Sequence, residues 1–253
     1  MRVRKSLNTV SLMKASKLLG DKDYVVYDDW MMEADVDRIY NTLFSLYFPW
    51  FWANTPHWRD GEMYTTDASL AEEMSHMKNK GMVPGWQLRH TFVRWNSDTQ
   101  QAEDNDSPYS QMPNFILSRL SDKFNLSGIN IFRVKANLRP QVLGAESESF
   151  DIPHIDMNED HIAMIYYVND SDGDTFIFND DMHIIDRVSP KKGRVLVMNG
   201  KRRHAAGHPV KNQNRVVMNF NFLEGETEHG QVSESGKNEE SQGERLFKSI
   251  KPI

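Results

Sequence analysis

The chain contains no cysteine. That removes disulfides, thiolate metal ligands and cysteine nucleophiles together, so any metal site must be built from His, Asp and Glu. No apolar run approaches the ~20 residues of a membrane-spanning helix, and mean hydropathy is −0.64, so no membrane association is expected. A basic excess is also missing. Lys and Arg number 30 against 36 Asp and Glu, a formal charge of −6, which argues against a dedicated nucleic-acid binder. Acidic residues are absent before Asp21, and this basic leader lacks the apolar stretch of a secretory signal. It reads as a surface amphipathic helix ending at Gly20, although a mitochondrial-type presequence shares its composition. With neither secretion signal nor membrane span, a cytoplasmic location is expected.

What is present is enough for a sizeable core: 253 residues, 39% hydrophobic and 11% aromatic. Residues 24–27 are strand-like. Asp28 and Asp29 stand where they would cap a helix carrying Ile39, Tyr40, Leu43, Phe44 and Leu46 at helical spacing and stopping at Phe48-Pro49. A helix is expected over 66–80, an extended run over 84–95, a surface loop over 97–108, and an amphipathic helix over 112–125 with Pro113 in its first turn. From residue 129 the character changes. Short β-rich runs at 129–138, 161–168, 175–178, 183–188, 194–198 and 215–223 alternate with Gly, Asn, Asp and Pro, the pattern of a sandwich or barrel. The expected organisation is mainly β with an α layer: an N-terminal helical and extended layer over 1–128, a β core over 129–223 and a polar tail over 224–253.

The chemistry concentrates in that core. On a strand, residues i and i+2 share a face, so His154-Ile155-Asp156 presents an imidazole and a carboxylate in one direction. A third ligand from a distant strand would complete the 2-His-1-carboxylate set that suits non-haem Fe(II) and leaves positions open. The candidates are His161, His183, His204 and His208. His204 is favoured because it follows an apolar strand and the Asn199-Gly200 turn, whereas His183, within an apolar strand, reads as structural. Eleven residues on, Arg215 opens a strand whose apolar face is Val216, Met218, Phe220 and Phe222 and whose other face is Arg215, Val217, Asn219 and Asn221. An Arg and two Asn on an inner face are costly unless a ligand satisfies them, and a guanidinium fork matches a carboxylate. On an edge strand the same arginine would be an ordinary surface ion pair.

In order along the chain, His154-Ile155-Asp156, Ile165-Tyr166-Tyr167-Val168-Asn169, Gly173-Asp174-Thr175, Pro190-Lys191-Lys192-Gly193, His204 and Arg215 resemble the motif series of the Fe(II)/2-oxoglutarate dioxygenases, in their prolyl 4-hydroxylase-like branch. The resemblance covers residues 129–223. It implies a double-stranded β-helix (jelly roll, cupin-like) core with N-terminal supporting helices. It implies an enzyme that uses Fe(II), 2-oxoglutarate and O₂ to hydroxylate a substrate C–H, with release of succinate and CO₂. His154, Asp156 and His204 would be the iron ligands, Arg215 and Tyr167 would hold the far carboxylate of 2-oxoglutarate, and Asn219 would line the pocket. By alternation Tyr167, Ile165 and Ala163 share a face and Tyr166 points the other way.

Three departures accompany the resemblance. The turn before Thr175 has one Gly where many relatives have two. The strand over 132–140 lacks the Tyr that relatives often supply from it, leaving Asn137 or Arg139 in its place. The loop over 142–151 is long and acidic, and in this branch such loops close over the substrate. The block Phe48-Pro49-Trp50-Phe51-Trp52 is similar to that of small viral and bacterial hydroxylases of this branch. The substrate implied is a peptidyl proline or another amino-acid residue, with small molecules left open. Lys191, Lys192, Arg194, Lys201, Arg202 and Arg203 form a basic region that would meet an acidic partner or simply be a solvated face. Two other classes remain: a cupin-like metal enzyme without 2-oxoglutarate, which needs neither Arg215 nor Tyr167, and a non-catalytic β-sandwich binding module, which needs no complete triad.

Overall fold

The computed structural model describes residues 18–53, 58–59, 62–63, 85–96, 101–126, 129–157 and 160–224. The expected leader helix up to residue 17, the helix over 66–80 and the tail beyond 224 lie outside these residues.

The strict alternation after Arg215 produces the central strand of the molecule. β13 (Asn214–Glu224) runs antiparallel between β7 (Ile129–Pro140) and β8 (Ile162–Tyr167). Its Val216, Met218, Phe220 and Phe222 are buried with Val134, Ala136, Met164 and Tyr166 on one face of the sheet. Val217 joins Ala163, Ile165 and Tyr167 on the other. Both faces are therefore buried, as expected of a barrel wall covered outside by another layer. The sheet order is β1-β11-β8-β13-β7-β5-β2, with β1 (Tyr24–Tyr27), β11 (Val195–Asn199), β5 (Gln87–Asn96) and β2 (Phe51–Ala53), and with β6 (Gln101–Asp104) on β5.

Facing it is a smaller sheet, β10 (Ile184–Val188), β9 (Thr175–Phe178) and β12 (His204–Ala206). Residues 150–154 extend this sheet through bridges from Phe150 to Gly207 and from His154 to His204. From residue 129 the chain passes between the two sheets, which is the double-stranded β-helix. A separate pair, β3 (Trp58–Arg59) and β4 (Glu62–Met63), completes the strands.

Two helices cover the outer face of the large sheet. α1 (Glu33–Leu43) buries Val36, Ile39 and Leu43, and α2 (Gln111–Phe124) buries Met112, Ile116, Leu117 and Leu120, each set at i, i+3, i+4 spacing. α2 carries Pro113 in its first turn as expected and ends at Asn125, which adopts the left-handed conformation (φ 53°).

Four expectations need correction. Asp28 and Asp29 do not cap α1. The Arg194 fork takes Asp28 at 2.9 and 2.8 Å, Asp29 has φ 52°, and the helix begins after Met32 without a side-chain cap. α1 stops at Leu43 rather than Phe48, so Leu46 and Tyr47 stand exposed. Within the loop expected over 97–108, residues 101–104 pair with β5, fastened by Glu103 to Arg94 at 2.9 Å and to Asn96 at 2.6 Å. His183 is exposed just ahead of β10, whose Ile184 and Ile185 are also exposed, so it is not in a buried apolar strand. Among the described residues no helix is long and apolar enough to cross a membrane.

Candidate active site

His154 and His204 are brought face to face by the bridge between residues 150–154 and β12. Each backbone N–H donates to the other's carbonyl at 3.0 Å, so the two side chains leave the same face, with ring centroids 4.9 Å apart. The two rings are fixed in the same way. Nδ1 of His154 donates to the Ile152 carbonyl at 2.9 Å, and Nδ1 of His204 to the Arg202 carbonyl at 3.1 Å. That choice of tautomer leaves both Nε2 lone pairs free to bind a metal.

Asp156, two residues past His154, brings Oδ2 to 4.0 Å from His204 Nε2, and one donor atom from each of the three residues lies within 4.8 Å of the others. Arg133 Nη2 donates to Asp156 Oδ1 at 2.6 Å, Asn221 Nδ2 to Oδ2 at 3.0 Å, and Arg133 Nε to Asn221 Oδ1 at 3.0 Å. This closed triangle joins β7 and β13 to the carboxylate. Burial by itself would raise the Asp156 pKa, but Lys135, His204, Arg133 and His154 outweigh it and hold the carboxyl well below its ordinary range. Burial, then the neighbouring His204, depresses His154. The ionised carboxylate and the depressed His154 are in the protonation states a divalent cation requires. Among the described residues the other candidate histidines do not join them. His161 packs against Gly200, where a Cβ would come within 2.3 Å of its ring, and His208 packs against Gly85.

Arg215 stands at the other end of the same cleft, 2% exposed. Its Nε donates to the Gly173 carbonyl at 2.7 Å and its Nη2 to Thr175 Oγ1 at 2.8 Å. The Tyr167 hydroxyl lies 2.7 Å from the same Thr175 oxygen, and the guanidinium sits 5.8 Å from the Tyr167 ring centre. Among the described residues no carboxylate comes within 4.0 Å of this guanidinium. Burial lowers its pKa to about 10, which still leaves it charged at neutral pH, and pushes Tyr167 up to about 12, which keeps its O–H. A buried cation with unused N–H groups beside a hydroxyl is a receptor for a carboxylate. The single glycine of the turn is the one this approach needs. A Cβ at Gly173 would lie 2.9 Å from the Gly207 carbonyl oxygen, 3.0 Å from Pro209 N and 3.1 Å from Arg215 Cδ.

The cleft has a volume of about 200 Å³. Asn219 lines it beyond Arg215 on the same strand face, and its Oδ1 is buried without a hydrogen-bond partner. Asn137 and Arg139, the two residues open for the missing tyrosine, both line it as well. Asn137 Oδ1 and Arg139 Nη1 are also unpartnered, while Arg139 Nη2 binds Asp151. The acidic loop is tied down at three points: Glu148 pairs with Arg187, Asp151 with Arg139, and Phe150 is fully buried. Phe48 is buried against Trp50, His90 and Tyr109, whereas Trp52 stacks on Trp86 at 4.8 Å on the surface. The basic region is largely neutralised within the chain, Lys192 by Asp37, Arg194 by Asp28, Lys201 by Asp160 and Arg202 by Asp23.

Sequence reasoning missed Arg133, Lys135 and Thr175, and it gave Asn221 no role. A signal was available for two of them. Arg133, Lys135, Asn137 and Arg139 alternate along one strand and so share the face that bears the pocket.

No protein-family model and no curated protein matches the chain. Solved structures do. An oxidoreductase of the 2OG-Fe(II) oxygenase family from Burkholderia pseudomallei aligns with a TM-score of 0.58 at 13% identity, over 83% of this chain and 90% of that one. A prolyl hydroxylase from Trichoplax adhaerens, in complex with a hypoxia inducible factor oxygen degradation domain peptide fragment, aligns with a TM-score of 0.51 at 11% identity, over 81% and 86%. The fold is that of the 2OG-Fe(II) oxygenases, with a double-stranded β-helix at its centre.

Proposed function

We propose that this chain is an Fe(II)- and 2-oxoglutarate-dependent dioxygenase that hydroxylates a substrate C–H, on a peptidyl proline or another amino-acid residue. One observation carries the reading: a His-Asp-His set and a buried arginine without a carboxylate partner open into the same cleft. The donor set fits the metal, since two imidazoles whose Nδ1 atoms are taken by backbone carbonyls and one ionised carboxylate match the facial triad of non-haem iron. His154, Asp156 and His204 would hold Fe(II). With Fe(II) and 2-oxoglutarate bound, the site would supply oxidising chemistry in which one oxygen atom of O₂ ends in succinate as CO₂ is released and the other enters the substrate.

The protein's part is position and exclusion of water. Arg215, with the hydroxyls of Thr175 and Tyr167 beside it, would take the far carboxylate and so fix the direction in which 2-oxoglutarate lies. Arg133 and Asn221 hold the Asp156 oxygens, and the carbonyls of Ile152 and Arg202 hold the imidazoles. Ile152, Ile165 and Val217 give the cleft apolar wall. The prolyl substrate rests on the motif order together with the peptide carried by the Trichoplax neighbour.

The test is incubation with Fe(II), 2-oxoglutarate, O₂ and a proline-rich peptide, reading succinate and peptide mass. Succinate together with a peptide heavier by one oxygen atom, both lost in His204→Ala and Asp156→Ala, is expected. Full activity in His204→Ala would refute the ligand assignment. Metal-dependent activity that needs no 2-oxoglutarate and survives Arg215→Ala would support a cupin-like enzyme instead.

A further inference from the structure

The cleft holds more positive charge than a metal and 2-oxoglutarate explain. Five basic side chains line it, Arg89, Arg133, Lys135, Arg139 and Arg215, against two acidic ones, Asp151 and Asp156. Arg139 is paired with Asp151 and Arg133 with Asp156, while Arg215 belongs to the co-substrate's carboxylate. Arg89 is left over, and Lys135 has only a share of Asp156, which Arg133 already holds. Lys135 Nζ comes no closer than 3.9 Å to Asp156, whose two oxygens already accept from Arg133 and Asn221. Among the described residues no carboxylate lies within 4.0 Å of the Arg89 guanidinium. A bound divalent metal adds two positive charges near Lys135, and 2-oxoglutarate removes only the two it brings.

Strand register shows where the surplus lies. Lys135 of β7 stands directly opposite Asn219 of β13, and Asn137 of β7 stands directly opposite Arg89 of β5, all four on the cleft face. Directly opposite residues have Cβ atoms about 5 Å apart, so these four form one contiguous patch across three strands. Its composition is specific: one cation with no carboxylate among the described residues, Arg89, one that shares Asp156 with Arg133, Lys135, and two buried amide oxygens, Asn137 Oδ1 and Asn219 Oδ1, without a donor. Clustered like charges and unsatisfied buried acceptors each destabilise the folded protein unless a ligand compensates them. A neutral stretch of peptide would leave the cations uncompensated. The patch spans β13, β7 and β5 and includes neither Thr175 nor Tyr167, the hydroxyls beside Arg215, so it is a part of the cleft wall that the far carboxylate of 2-oxoglutarate does not need.

We propose that Lys135 and Arg89 form a second anion subsite, and that the substrate is a peptide bearing a carboxylate on or next to the residue that reacts. Its carboxylate lies between these two side chains, and an adjacent N–H or O–H donates to Asn137 Oδ1 and Asn219 Oδ1. This rests on the oxygenase reading above and narrows it: the reacting C–H belongs to a molecule that brings its own negative charge into the cleft.

The test uses matched probes on oxygen-free protein saturated with Fe(II) and 2-oxoglutarate. Acetate, acetamide and N-acetyl-L-prolinamide are titrated by calorimetry, with the iron–2-oxoglutarate charge-transfer band monitored throughout. Acetate and acetamide differ by one charge at nearly equal size, and the third probe is a neutral piece of peptide. Acetate should bind at least tenfold more tightly than either neutral probe, Arg89→Gln should remove that preference while the band stays intact, and Lys135→Met should remove it as well. Arg89 is exposed, so its variant serves even if Lys135→Met folds poorly. Neutral probes binding as well as acetate, or both variants keeping the preference, would overturn the proposal. Absence of the band in the unmodified protein would instead overturn the oxygenase reading, so the two failures are distinguishable.

Discussion

Replacing Arg215 with methionine separates what this residue does for the fold from what it does for a ligand. In the protein alone, the substitution removes hydrogen bonds to the Gly173 carbonyl and Thr175. It also removes a buried cation with no carboxylate partner, and methionine fills a similar volume. Such replacements of buried charge by apolar groups are commonly neutral or stabilising, so unfolding free energy should change by no more than about 1 kcal/mol downward. Ligand binding should respond very differently. Two charge-assisted hydrogen bonds from the fork to a carboxylate are worth about 1.5–3 kcal/mol each. Their joint loss weakens binding about 100-fold or more, at about 1.4 kcal/mol per tenfold. Arg215→Lys, which keeps the charge without the fork, should fall between. The assay is a titration of the Fe(II)-loaded, oxygen-free protein with 2-oxoglutarate, beside urea unfolding of the metal-free protein. Unchanged 2-oxoglutarate affinity, or a collapse of the metal-free fold, would refute the reasoning.

Three further outcomes follow from the same contacts. Arg133→Met leaves one Asp156 oxygen without its donor and should weaken metal binding about 10–100-fold, read by competition with a chelator, with circular dichroism unchanged; unaltered metal affinity would show that Asn221 alone suffices. Gly173→Ala forces a methyl group against two backbone atoms that cannot rotate away, so it should cost about 1–3 kcal/mol of stability and also weaken 2-oxoglutarate binding; an alanine protein of normal stability would contradict that crowding. His90 is buried between the Pro49 carbonyl and the Ser107 hydroxyl, and burial depresses its pKa against the opposing pull of that carbonyl. The unfolded chain then binds the proton more readily, so the His90 contribution is fully present above about pH 6.5 and is lost as pH falls toward the lowered folded value. Thermal unfolding from pH 7.5 to pH 5 should therefore show a steeper decline for the unmodified protein than for His90→Gln, and equal slopes would assign the effect elsewhere.

The strands of the core were legible because each is either a short continuous apolar run, as in β8, β9 and β11, or has a buried face with a period of two, as in β13. The run from Arg215 to Phe222 announced both the apolar face that meets the helices and the polar face that meets the cleft. His154 and Asp156 were legible as a His-x-Asp pair, although His154 makes only an isolated bridge and Asp156 lies in a bend rather than on a strand, and His204 was legible from its place after a turn. Strands with little to bury were not legible. Residues 101–104 form a polar edge, and β10 carries Ile184 and Ile185 on the surface. Asp28 looked like a helix cap because the sequence near it contains no competing cation, and its partner Arg194 lies 166 residues away. The Arg133–Asn221–Asp156 triangle was hidden for a related reason. Arg133 and Asn221 are 88 positions apart and meet only because β7 and β13 pair in this register, which no local pattern specifies. The pairing of the basic region with Asp23, Asp28, Asp37 and Asp160 is likewise set by tertiary contact.

The central claim is that one cleft holds a metal through His154, Asp156 and His204 and a 2-oxo acid through Arg215. Its most direct test is an anaerobic titration of the purified protein with Fe(II) and then 2-oxoglutarate, watching for the visible metal-to-ligand charge-transfer band that arises only when the 2-oxo acid chelates the iron. The account predicts a band that saturates with one 2-oxoglutarate per chain and is missing in His154→Ala. Iron binding without the band, or a band that persists in His154→Ala, would contradict it.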